Sequence, residues 1–92
     1  MNYPKTLKLP ERKLCFYRTA LSRNNEVVQY KCVIGDKTIT LQVGFRDGTY
    51  RATMFHYVDV EHKTSVSAQT RGSEFLKVIN VVADLFPFAV IK

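Results

Sequence analysis

Polar and apolar residues alternate along most of the first sixty positions, the pattern of half-buried β-strands. It is clearest in VVQYKCVI, TITLQVGF and YRATMFHY, where every second side chain is apolar or aromatic. Three tight-turn signals interrupt the alternation: Asn24-Asn25, Gly35-Asp36 and Asp47-Gly48. Each suits a two-residue hairpin loop of type I′ or II′ geometry. The pattern therefore predicts four antiparallel strands between Lys13 and about Val60. Beyond a polar stretch from Ser65 to Gly72, read as loop, the period becomes helical. Phe75, Ile79, Val82 and Phe86 form an apolar stripe with Val78 and Leu85 beside it, Ser73 stands where a cap is needed, and Pro87 ends the run. The fold class expected is α+β: a four-stranded antiparallel β-meander followed by one C-terminal helix packed on one sheet face. The closing FAVIK reads as a short final strand.

Two-residue turns fix the register, and the register sorts the faces. One face then carries Cys15, Tyr17, Leu21, Val28, Tyr30, Cys32, Ile34, Ile39, Leu41, Val43, Phe45, Tyr50, Ala52 and Met54, which is a core for the helix to cover. The other face reads Arg18, Lys31, Thr40, Phe55 in one row and Phe16, Val33, Thr38, Tyr57 in the next, with Arg51 beyond. Arg18 opposite Lys31 is unfavourable, since like charges in cross-strand pairs repel. An anionic ligand would turn that liability into a site.

Charge sharpens the picture. The net charge is +6, and residues 1–23 hold six basic side chains against Glu11 alone. Residues 1–12, bracketed by Pro4 and Pro10, read as a basic N-terminal arm on a single domain spanning 13–92. The two cysteines have no metal or redox spacing, and no apolar run is long enough for a membrane span. The expectation is an intracellular protein without cofactor or metal. His56, Asp59, Glu61 and His62 cluster in sequence but match no catalytic or metal motif, so the protein is read as non-enzymatic. The wide apolar stripe of the helix suggests a second neighbour, either the arm or tail or, as the favoured reading, a homodimer through the helix.

Cations that track phosphates, beside rings on which bases stack, are the ingredients of single-strand binding. The reading is a small nucleic-acid-binding protein, preferring single strands. Arg18, Lys31 and Arg51 would hold phosphates, and Phe16, Phe55 and Tyr57 would stack bases. Lys5, Lys8, Arg12 and Lys13 would add salt-sensitive affinity. The order of elements over residues 13–86 is similar to the single-stranded-DNA-binding fold of a transcriptional coactivator, a curved four-stranded sheet followed by a helix, which dimerises. The likeness is one of element order, with no shared motif. The rival reading is a protein-interaction module, a small inhibitor or accessory factor such as a virus-encoded one, that docks a larger protein through Phe55, Tyr57 and Arg51.

Overall fold

The chain folds into an antiparallel sheet followed by a C-terminal helix, with six strands rather than the expected four. The computed structural model describes residues 3–59 and 64–88. The strands are β1 (Thr6–Leu9), β2 (Leu14–Leu21), β3 (Val27–Ile34), β4 (Lys37–Arg46), β5 (Thr49–Asp59) and β6 (Thr64–Gly72), and they lie side by side in chain order. Helix α1 (Phe75–Leu85) is the last of these elements among the described residues. Residues 89–92, most of the expected final strand, lie outside the described residues.

The turn chemistry explains the central hairpins. Asp47 and Gly48 both have positive φ, 55° and 76°, and join Arg46 directly to its partner Thr49, as a type I′ loop requires. Gly35, at φ 63°, opens the equally tight loop between Ile34 and Lys37. Here the expected pairs hold: Tyr30 faces Leu41, Cys32 faces Ile39, and Leu41 faces Met54. The first turn is wider. The Ser22 hydroxyl accepts the backbone N–H groups of Glu26 and Val27, and the backbone N–H of Ser22 donates to Val27 O at 2.9 Å.

β2 departs from the expected register because of a bulge between Arg18 and Ala20. Leu21 pairs with Val28 as a simple hairpin dictates, but past the bulge Tyr17 faces Lys31 and Arg18 faces Tyr30. Strict alternation would place Leu21 and Phe16 on opposite faces, since they differ in parity. One extra residue lets Phe16 turn to the same face as Leu21 and its buried partner Val28, and so enter the core. Phe16 is fully buried as a result, and burying a phenylalanine contributes about 1.5–3 kcal/mol.

Residues 3–12, expected as an arm, do not hang free. β1 pairs along β2, with Leu7 opposite Phe16, and Tyr3, Leu7 and Leu9 all join the core. Ser65 to Gly72, expected as loop, is the edge strand β6, whose Val66 and Ala68 pack against the core beneath α1. The helix packs across β5 and β6, with Val78, Ile79, Val82 and Ala83 buried. It also reaches the opposite edge. Tyr3 and Phe75 pack with ring centroids 5.3 Å apart, and Arg12 forms an ion pair with Asp84. Six flat strands would hold their edges roughly 24 Å apart, so one helix about 10 Å thick touches both only because the sheet curls around it.

Candidate nucleic-acid interface

The convex face of this sheet carries the chemistry. Its central row runs Thr6, Tyr17, Lys31, Thr40, Phe55, Ser67 through direct cross-strand pairs. On one side lies the row Ala20, Gln29, Gln42, Thr53, Gln69, and beyond it Val27, Gly44, Arg51, Arg71. On the other side are Lys8 opposite Cys15, then Val33 opposite Thr38, then Tyr57 opposite Ser65.

Lys31, Arg51, Phe55 and Tyr57 therefore stand on the open face as expected, together with Lys8. Tyr17 and Tyr57 are 58% and 51% exposed, and Phe55 meets Tyr57 edge-on at 5.9 Å. The Tyr17 phenol is pushed above its ordinary pKa, chiefly by a hydrogen bond with Cys15. Val33 adds an apolar patch at 69% exposure.

Three expected site residues belong elsewhere. Phe16 lies in the core and offers no ring to a ligand, because the bulge turns it inward. Arg18 is not opposite Lys31. The same bulge sets it across from Tyr30, and its guanidinium donates to the Tyr3 carbonyl at 2.8 Å, tying the N-terminal segment to β2. Arg12 is engaged on the helix side, paired with Asp84 and 5.7 Å over the Phe88 ring. Lys5 and Lys13 are exposed, with Lys13 in the left-handed region at φ 56°.

The structure supplies what the sequence reading missed. Tyr17 replaces Phe16 as the exposed ring beside Lys31. Arg71, on β6 where the polar sequence predicts a loop, stands directly opposite Arg51. Arg46, exposed at the end of β4, extends this basic corner. The alternation of Ser65, Ser67, Gln69 and Arg71 with Val66, Ala68 and Thr70 was the available signal for β6. Among the described side chains of this face there is no carboxylate; Glu26, Asp36 and Asp47 sit in the turns at its ends.

His56 donates from Nδ1 to the Thr38 carbonyl at 2.8 Å, a structural bond between β4 and β5. Glu61 and His62 lie outside the described residues. Among the described residues, no group of three or more His, Cys, Asp or Glu side chains is placed to hold a metal, and no helix is long and apolar enough to cross a membrane. The architecture is thus an α+β domain whose curled antiparallel sheet is covered by a helix on its concave side. No family profile, curated protein or solved structure matches this chain.

Proposed function

We propose that the protein is a non-enzymatic nucleic-acid-binding domain that takes a single strand on its convex sheet face. The observation supporting this reading is the composition of that face. Lys8, Lys31, Arg46, Arg51 and Arg71 share it with Tyr17, Phe55 and Tyr57, and the side chains between them are chiefly amides and hydroxyls. Stacking on an aromatic ring contributes about 1–3 kcal/mol per base and tolerates any sequence. With no carboxylate among the described side chains of the face, these cations attract phosphates with an affinity that falls as salt rises. A single strand exposes its bases to such rings; a duplex does not.

Fluorescence anisotropy with labelled single- and double-stranded oligonucleotides, at low and moderate salt, tests this. The expected result is salt-sensitive binding that favours the single strand and is lost in a folded Lys31→Ala/Tyr57→Ala variant. Absence of binding even at low salt removes nucleic acid. The exposed Val33 and the Phe55–Tyr57 pair would then favour the second reading, a surface that docks another protein.

A further inference from the structure

Arg51 and Arg71 are direct cross-strand partners on β5 and β6, both exposed. Like charges so placed are destabilising, and a single acidic replacement at either position would have relieved the repulsion. The described ion pairs are Arg12–Asp84 and Lys37–Asp36, so neither Asp47 nor Glu74, nearby acids in the chain, neutralises the pair. The two arginines line an open recess of about 330 Å³ together with Gln69 and Thr70. That lining offers two guanidinium forks and an amide N–H group and no acidic group; Thr70, opposite buried Ala52, turns its side chain to the concave face.

We propose that this recess holds one doubly charged phosphate, the terminal phosphomonoester of a nucleic-acid strand; this rests on the reading of the sheet face given above. Guanidinium forks match phosphate oxygens two at a time. Charge selects the kind of phosphate. A diester carries a single negative charge and leaves the pair half neutralised, whereas a monoester carries about −1.5 to −2 at pH 7. Position agrees with an end-binding role. The pair sits at the sheet's edge strand, and along β5 it is four residues, roughly 13 Å, from the Phe55 ring. A strand anchored at its end by Arg51 and Arg71 would run past the glutamines of the next row onto the rings.

The test is anisotropy with one oligonucleotide sequence carrying a 5′-phosphate, a 3′-phosphate or hydroxyls at both ends. Wild-type protein should bind one phosphorylated form about tenfold more tightly than the hydroxyl form. In Arg71→Gln that preference should vanish while hydroxyl-ended binding falls much less. The preference should also shrink below about pH 6, as the monoester gains its second proton. Equal affinity for all three ends in wild type overturns the proposal and leaves the pair as one stretch of a general phosphate track. If no oligonucleotide binds at all, the broader reading fails, and melting in inorganic phosphate at fixed ionic strength decides the site. Stabilisation by phosphate in wild type but not in Arg71→Gln sustains it; no difference overturns it.

Discussion

Phe16 and Tyr17 stand side by side in the chain and on opposite faces of the sheet, one fully buried and the other more than half exposed. Their roles should separate accordingly. Phe16→Ala is expected to cost about 3–5 kcal/mol in urea unfolding, a large share of the stability of a domain this small. Tyr17→Ala should unfold near the wild-type midpoint but lose about fivefold or more in single-strand affinity, the loss of one stacked base. Near-normal stability in Phe16→Ala would contradict the placement of the bulge. Alternation put these two adjacent rings on opposite faces but the wrong way round, since both are aromatic and the bulge between Arg18 and Ala20 shifts the register by one. Lys31, Arg51, Phe55 and Tyr57 were readable because tight turns of known geometry tie β3, β4 and β5 together, leaving no slack for a register shift.

At the scale of elements, the junction of β6 with α1 depends on a close approach. A Cβ added at Gly72 would lie 2.9 Å from Val78 Cγ1. Val78 is buried and β-branched, so its single preferred helical rotamer leaves little room to yield. Gly72→Ala should therefore lower stability by about 1–3 kcal/mol, read as a lower melting temperature with an unchanged far-ultraviolet spectrum. An unchanged melting temperature would mean that helix and strand separate without cost. The helix itself was legible over nearly its full length, with the cap at Glu74 rather than Ser73. The two edge strands were not. β6 faces the core with small side chains such as Ala68, which weakens its apolar alternation, and β1 alternates as TLKL but over only four residues between prolines, too short a run to signal a strand.

Across the whole molecule, the N-terminal segment is what completes the core. The Tyr30 hydroxyl donates to the Pro4 carbonyl at 2.6 Å, linking that segment to the middle of the sheet. Burial pushes the Tyr30 phenol up to about 12, and burial raises Tyr3 as well. In the unfolded chain a tyrosine ionises near pH 10. The folded state thus holds its full contribution from Tyr30 below about pH 10 and loses it as pH rises towards about 12. Alkaline unfolding followed by phenolate absorbance should show this loss, and Tyr30→Phe should flatten the slope above pH 10; an unaltered slope would refute the linkage. By itself the sequence determined the antiparallel α+β plan, the two tightest hairpins, the helix, and a sheet face mixing cations with rings. These follow from local rules: side-chain period, turn dihedrals and charge. Only the tertiary structure decided that β1 and β6 extend the sheet, that Phe16 and Arg18 turn inward, and that Arg71 meets Arg51. Those outcomes depend on what covers each face. Burying a Phe or Leu side chain contributes about 1.5–3 kcal/mol, and for Phe16 and Leu7 that gain depends on a helix about sixty residues away, which no local pattern records.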